Sequence, residues 1–165
     1  MLKKILKEKS LKAKAIFGLF PANSVGDDIE VYDQKKTKTL AKFLTLRQQL
    51  KKEEGEPNIA LSDFIASKDS EIEDYIGCFC VSTGFGSDEL SKAYEDKIDD
   101  YSSIMVKAIA DRFAEAYAEY LHKEIRTNKW GYVRNEDLDN KELIKESYKG
   151  IRPAPGYPAC PDHLE

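Results

Sequence analysis

The most constraining feature of this sequence is a helical pattern that runs from residue 99 to residue 127. Apolar residues return there at steps of three and four, the spacing that places side chains on one face of an α-helix. Asp99 and Asp100 suit the start of such a helix, because carboxylates there meet free N–H groups and the positive end of the helix dipole. We therefore predict one long helix near 99–127, largely buried along the stripe formed by Ile104, Met105, Ala108, Ile109, Phe113, Ala116, Tyr117, Tyr120 and Leu121.

Short segments typical of β-strands precede this helix. We predict strands at residues 15–20 (closed by Pro21), 28–33, 39–46 and 75–81, the last of them ended by residues 83–86. Residues 34–37 are a polar turn, so the second and third strands should form a hairpin. Short connections favour antiparallel pairing. The charged segment 51–58, with Gly55 and Pro57, should be an exposed loop.

Two shorter helices complete the predicted elements. Leu2, Ile5, Leu6 and Leu11 lie at helical spacing among lysines, which indicates an amphipathic first helix with a solvated face; a membrane-surface or calmodulin-target role is the alternative for such a basic helix. A helix over 140–149 should begin with a capping box at Asp139 and end at Gly150. The order of elements predicts an α+β fold, with helices packed on an antiparallel sheet.

Composition excludes several classes of function. The 165 residues suit one domain, and the 30 acidic residues outnumber the 26 basic ones, which argues against general affinity for nucleic acid. No apolar run approaches the roughly 20 residues that span a bilayer. Lysines throughout residues 1–14 leave no apolar stretch for a signal peptide. We expect a cytoplasmic protein without nucleic-acid or membrane partners.

Cysteines and glycines offer only weak motifs. Cys78 and Cys80 should share one face of a strand as small buried side chains, and three cysteines without a paired framework fit a reducing compartment. Cys160 and His163 form a Cys-x-x-His pair, but a structural zinc site needs four ligands, so we expect no metal. The Gly84-x-Gly86 pair lacks the third glycine and the lysine of phosphate loops.

The segment from Arg152 to His163 carries the strongest functional signal. Four of the six prolines fall in the last 13 residues, and each proline fixes its own φ and favours extended geometry in the residue before it. We predict a stiff extended ribbon that presents the N–H groups of Ala154, Gly156 and Tyr157, with Arg152 offering a planar fork to a carboxylate. Such a ribbon suits an amino acid joined to a purine. A proline-rich linker, or a tail for a partner's aromatic groove, is the alternative.

This segment resembles the signature of the S-adenosylmethionine-binding activation domain of cobalamin-dependent methionine synthase. Further segments match that family in the same order: residues 18–32, 46–49, 74–77, 99–101, 104–108, 114–116, 118–122 and 130–132. The resemblance covers nearly the whole chain. It implies that residues 1–163 are part of an activation domain and that residues 164–165 are a tail left by cloning.

The resemblance also implies a function and a set of partners. Enzymes of this family carry a methyl group from methyltetrahydrofolate to homocysteine through a cobalamin, which is occasionally oxidised to cob(II)alamin and stalls. The activation domain then presents S-adenosylmethionine to the cobalamin-binding domain of the same enzyme. Flavodoxin or a flavoprotein reductase supplies an electron, and methylcobalamin is restored. The chain would thus be part of a methyltransferase, a methionine-biosynthesis enzyme, with S-adenosylmethionine and cobalamin as cofactors.

Site residues carried over from the family lie in two regions. Arg152 would hold the methionyl carboxylate, and Ala154 and Gly156 would bind S-adenosylmethionine through backbone groups. Tyr157 would lie near the ligand and the corrin, and Glu115, on the pocket-facing side of the long helix, would add polar contacts. No group needs to act as general acid or base, since the sulfonium is already an activated methyl donor, so no catalytic residue is expected and the protein's task is positioning.

Differences from the family pattern leave alternative functions open. The family's domain continues upstream and downstream and contributes an acidic and an aromatic residue from those regions, so we expect a trimmed piece that is inactive alone. The alternatives are a non-enzymatic docking module for a cobalamin domain or flavodoxin, and a free-standing reactivation subunit.

Overall fold

The computed structural model describes residues 1–161 and confirms the α+β prediction. Four strands, β1 (Lys12–Val25), β2 (Asp28–Tyr32), β3 (Thr39–Phe43) and β4 (Asp74–Phe85), form one sheet in the order β3-β2-β1-β4, with antiparallel β1–β2 and β2–β3 pairs. The helices are α1 (Leu2–Glu8), α2 (Ser87–Glu95), α3 (Asp100–Glu124) and α4 (Asn140–Ile144). Short 3₁₀ turns occupy Leu61–Phe64 and Lys68–Ser70.

The chain divides into two compact units, each described below by itself. The first contains Met1–Phe17 and Phe79–Tyr148, and the second contains Gly18–Cys78 and the segment from Lys149 onward. The predicted boundary after residue 163 lies outside the described residues, as does His163, so both stay predictions. Within residues 1–161, no helix combines the length and apolar content needed to cross a bilayer.

The second unit is built around the β1–β2–β3 meander. The predicted hairpin is confirmed: Asp33 closes its turn by accepting hydrogen bonds from the N–H and hydroxyl of Thr37, at 2.6 and 2.7 Å. Thr37 thereby holds the pKa of the Asp33 carboxyl below its usual range. Ala22, Ile29 and Val31 form the buried core. The alternation in β2 therefore places one face inside, as its period of two requires.

Several strand ends differ from the prediction. Strand β4 continues to Phe85, through residues 83–85 that we expected to end it. Pro21 does not close the first strand, and β1 continues through it to Val25. The pairing with β2 begins only at Ala22, so that ladder needs no N–H from the buried proline. The third strand ends at Phe43 rather than residue 46. Beyond it, the Thr45 hydroxyl donates to the Asp27 carbonyl, which draws the chain out of the sheet.

The prediction that Cys78 and Cys80 are buried is wrong. Both side chains are exposed, although they do share one face of β4. The strand lies at the edge of the four-stranded sheet, and Ile76 on the same face packs against the core while the two cysteines do not. Sequence alternation identified the shared face but carried no information about what covers it.

The first unit is organised around α3, which confirms the long helix. Asp99 caps it, its carboxylate accepting from the Ser102 N–H at 3.0 Å, and a π-helical turn over Ile125–Lys129 prolongs it. The expected apolar stripe is only partly buried, since Ile104 is 66% and Tyr120 58% exposed. The inward face consists largely of small residues, which let neighbouring elements approach closely, and comprises Ser103, Val106, Ala110, Ala118, Leu121 and His122.

Helices α1 and α4 are both shorter than predicted. Helix α1 ends before Lys9, which adopts a left-handed conformation, and only Ile5 of α1 is buried. The capping box of α4 is confirmed, because Asp139 accepts from the Glu142 N–H while the Glu142 carboxylate accepts from the Asp139 N–H. This helix stops at Ile144, well before Gly150, since the chain turns left-handed at Glu146.

Candidate ligand-binding segment

The segment from Arg152 to Pro161 lies in the second unit and folds into two consecutive turns. The Tyr157 N–H donates to the Ala154 carbonyl at 3.1 Å, and the Cys160 N–H donates to the Tyr157 carbonyl at 2.9 Å. The Gly156 N–H closes the pair by donating to the Cys160 carbonyl at 2.7 Å. We call residues 154–160 the double turn. The prediction of a stiff extended ribbon is therefore wrong for this part of the segment.

Proline and glycine explain the first of these turns. Pro155 and Gly156 occupy its two central positions, and Gly156 has φ of 92°. This combination is the type II turn, in which proline presets φ at the first central position and glycine accepts a positive φ at the second. Pro158 starts the second turn in the same way. The Pro155-Gly156 dipeptide was the available sequence signal for this turn.

The double turn changes what the backbone can offer a ligand. The N–H groups of Gly156 and Tyr157, which we expected to face a ligand, donate within the segment. Gly156 has no Cβ, and this allows the positive φ that the turn requires. Ala154 and Gly156 remain exposed, so their backbone is accessible to a bound molecule.

Arg152 and Tyr157 flank the exposed backbone with side chains of distinct chemistry. Arg152 is half-buried, whereas the side chain of Tyr157 is 59% exposed. Ala159 and Cys160 are buried and anchor the far end of the double turn. The segment thus presents a guanidinium, a stretch of exposed backbone and an aromatic ring in sequence order. A guanidinium binds carboxylates bidentately, and an aromatic ring stacks on flat heterocycles.

Glu115 and these residues belong to different units of the chain. Glu115 belongs to α3 in the first unit, and its side chain is exposed. A cleft of about 300 Å³ runs along the same helix and is lined by Lys107, Asp111 and Ala114. A role for Glu115 in ligand binding stays a prediction.

A buried ion pair in the first unit escaped the sequence reasoning. The Arg126 guanidinium donates to both carboxylate oxygens of Glu136, at 2.6 and 2.8 Å, and the two side chains are 0% and 3% exposed. Arg126 also donates to His122 Nδ1 at 2.7 Å and lies 4.1 Å from the centroid of the Tyr148 ring. An arginine can only donate, so Nδ1 accepts and the histidine proton resides on Nε2.

This ion pair holds the pKa of the Glu136 carboxyl below its ordinary value, because the hydrogen bonds from Arg126 favour the charged form. The only sequence signal was the four-residue spacing of His122 and Arg126, which places them on one helix face. Within residues 1–161, no group of three or more histidine, cysteine, aspartate or glutamate side chains is arranged to hold a metal ion.

Comparison with known proteins identifies the family. The profile of the vitamin B12-dependent methionine synthase activation domain matches residues 1–165. The chain belongs to this activation-domain family. A related solved structure, the reactivation domain of MetH bound to AdoHcy, is 55% identical, with a TM-score of 0.91. The alignment covers 99% of this chain and 50% of the related chain, so the chain spans about half the length of that relative.

Family membership confirms the resemblance. The fold is that of the reactivation domain, and the family is the activation domain of vitamin B12-dependent methionine synthase. The related protein contains AdoHcy, the molecule that S-adenosylmethionine becomes after it gives up its methyl group.

Proposed function

We propose that this chain binds S-adenosylmethionine and presents it for the reductive remethylation of cob(II)alamin in a B12-dependent methionine synthase. In the proposed reaction, S-adenosylmethionine supplies its sulfonium methyl group and a flavodoxin or flavoprotein reductase supplies one electron, so that cob(II)alamin becomes methylcobalamin and AdoHcy is released. The observation that carries the proposal is the placement of half-buried Arg152 directly before the double turn, in a family whose related structure contains AdoHcy.

The residues of the segment fit the chemistry of this ligand. S-adenosylmethionine carries an amino-acid carboxylate at one end and adenine at the other. Arg152 would hold the carboxylate, while the exposed backbone at Ala154 and Gly156 and the ring of Tyr157 would contact the remainder of the ligand. Glu115 would add a polar contact from α3. These residues position the methyl donor, and none of them transfers a proton.

The partners follow from the same proposal. The cobalamin would be held mainly by another domain of the enzyme, toward which this chain presents the methyl donor, and the electron would arrive from a separate flavoprotein. We propose residues 1–163 as part of the activation domain and expect the chain alone to lack remethylation activity, because cobalamin and the electron come from elsewhere.

Calorimetric titration tests the assignment of Arg152. We expect Arg152→Ala to weaken S-adenosylmethionine and AdoHcy binding by about 10- to 100-fold, because hydrogen bonds to charged groups contribute roughly 1.5–3 kcal/mol. Arg152→Lys should recover little of the affinity, since an ammonium cannot form the bidentate pair.

Arg134→Ala is the matched control, because Arg134 is exposed in the first unit and its loss should leave affinity unchanged. Thermal unfolding of each variant separates lost binding from lost stability. The proposal fails if the complete domain shows neither heat of binding nor a shift in its melting temperature at millimolar S-adenosylmethionine. That result would favour a docking module that binds no S-adenosylmethionine.

A further inference from the structure

Residues 144–151 lead from the end of α4 to the candidate ligand-binding segment. Seven of these eight residues are exposed, and Tyr148 alone is half-buried. Glu146 and Gly150 have positive φ values of 54° and 87°, so the chain bends on both sides of Tyr148. Arg152 follows Tyr148 by four residues. The conformational freedom of the chain just before Arg152 therefore depends on what holds the Tyr148 side chain.

Two side chains of the first unit hold Tyr148. The centroid of its ring lies 4.1 Å from the guanidinium carbon of Arg126 and 4.9 Å from the centroid of the His122 ring. The first contact is a cation–π interaction, which is stronger where water is excluded. In the second, the two rings are nearly perpendicular at 89°, a favoured arrangement of aromatic pairs. We call Tyr148, Arg126 and His122 the tyrosine anchor.

The base of the tyrosine anchor is fixed in place. Arg126 is 0% and His122 6% exposed. The Arg126 guanidinium donates to both carboxylate oxygens of Glu136 and to His122 Nδ1. The Arg126 carbonyl also accepts from the Val133 N–H at 3.1 Å. The guanidinium cannot turn away from the Tyr148 ring without breaking buried hydrogen bonds, which is costly.

The tyrosine adds a fixed point where the chain leaves the first unit. The ion pair of Arg126 with Glu136 is complete without Tyr148, since both carboxylate oxygens accept from the guanidinium. Tyr148 is the last residue of the first unit, and the chain continues from it toward Arg152. Ordering a chain before its ligand arrives lowers the entropy that binding costs.

We propose that Tyr148, held by Arg126 and His122, is a positioning residue for S-adenosylmethionine. It orders residues 149–151, so that the Arg152 guanidinium is in place for the carboxylate of the ligand. This inference rests on the proposed function, which assigns that carboxylate to Arg152. Tyr148 itself does not touch the ligand and acts through the backbone that leads to Arg152.

Calorimetric titration of the complete domain with S-adenosylmethionine tests the tyrosine anchor. Tyr148→Leu keeps an apolar side chain but removes both ring contacts, and we expect affinity to fall roughly tenfold. Tyr148→Phe keeps the ring and should bind within about twofold of wild type. Tyr120→Leu is the matched control, because Tyr120 is 58% exposed on α3 and its replacement should leave affinity unchanged.

Two further measurements separate positioning from stability. Amide hydrogen exchange at residues 149–152 should be faster in Tyr148→Leu, while the protection of α3 is retained. In a double-mutant cycle, Tyr148→Leu should cost little further affinity once Arg152→Ala is present, because the tyrosine anchor acts through that arginine. Affinity losses that simply add, or equal losses in Tyr148→Leu and Tyr148→Phe, would overturn the proposal.

A Gly-Ser insertion after Lys149 tests the link without changing the tyrosine anchor, and it keeps the proposal testable if Tyr148→Leu does not fold. We expect the insertion to weaken binding of S-adenosylmethionine, since a longer flexible link no longer orders the chain before Arg152. Wild-type affinity in the insertion variant, or in folded Tyr148→Leu, would overturn the tyrosine anchor and leave the proposed function standing. Absence of binding by wild type would instead mean that the proposed function itself has failed.

Discussion

Gly156 shows how a single backbone conformation supports the candidate site. Its φ of 92° and the hydrogen bond from its N–H to the Cys160 carbonyl hold the double turn closed. A residue with a side chain is strained at such a φ, typically by about 1–3 kcal/mol. The double turn also fixes the spacing between Arg152 and Tyr157 along the segment.

Gly156→Ala should therefore reduce both stability and affinity for S-adenosylmethionine. We expect the free energy of unfolding to fall by about 1–3 kcal/mol, and ligand binding to weaken because the turn no longer holds its neighbours in place. Chemical denaturation and calorimetry measure the two effects. Gly84→Ala is the control, since its added Cβ would meet its nearest atom, Ser87 Oγ, at an ordinary 3.6 Å. Unchanged affinity in Gly156→Ala would separate the turn from the ligand site.

At the scale of elements, the buried ion pair secures the end of α3. Arg126 lies in the π-helical turn that prolongs α3, and Glu136 lies in the irregular segment before α4. Their bidentate contact therefore joins two pieces of the first unit that share no strand or helix. Removing one partner of a buried pair leaves an uncompensated charge, which is more costly than losing the pair itself.

Changing Arg126 alone should destabilise the first unit strongly. We expect Arg126→Met to lower the free energy of unfolding by about 3–5 kcal/mol, and addition of Glu136→Leu to recover much of that loss. A double-mutant cycle in urea measures the coupling. Arg112→Met, which changes an exposed cation on the same helix, is the control. If the losses in free energy of unfolding of the two single variants simply add in the double variant, Arg126 and Glu136 are not coupled.

The same pair gives the first unit a pH dependence of known sign. The folded-state pKa of Glu136 lies below its ordinary 4.5, chiefly because of the hydrogen bonds from Arg126. Its contribution to stability is therefore complete above that ordinary value and is lost as pH falls through the lower folded-state value. Glu136→Gln should remove this component of the acid unfolding curve.

At the scale of the whole molecule, the chain corresponds to part of its related structure. It covers 50% of the related MetH reactivation domain, and its proposed task needs a cobalamin and an electron that it does not itself supply. Under the proposed function, the cobalamin and the electron donor would reach the chain either on a longer polypeptide or by association between separate proteins.

The mass of the native protein distinguishes these arrangements. We expect an immunoblot of cell extract to show a band at least twice as large as 18.8 kDa, the mass of this chain, because the chain spans only 50% of the related structure's chain. Recombinant chain on the same gel provides the size control. A native band at the mass of the chain would instead favour the free-standing reactivation subunit.

The sequence by itself determined the family and most of the elements, although it gave no sign of α2. Helical spacing located α3, an alternating pattern located β2, and the capping residues Asp99 and Asp139 marked two helix starts, because these signals depend on neighbours in sequence. The segment around Arg152 named the family together with the other matching segments, since several long motifs in a fixed order do not arise by chance.

Only the tertiary structure decided burial, strand ends and the geometry of the double turn. The sequence could not reveal that Cys78 and Cys80 are exposed, because burial depends on residues far away along the chain. Nor could it reveal the partnership of Arg126 with Glu136. Around Gly156, the sequence contained a Pro-Gly turn signal, but the hydrogen bonds to and from Cys160 that close the double turn form only in the folded chain.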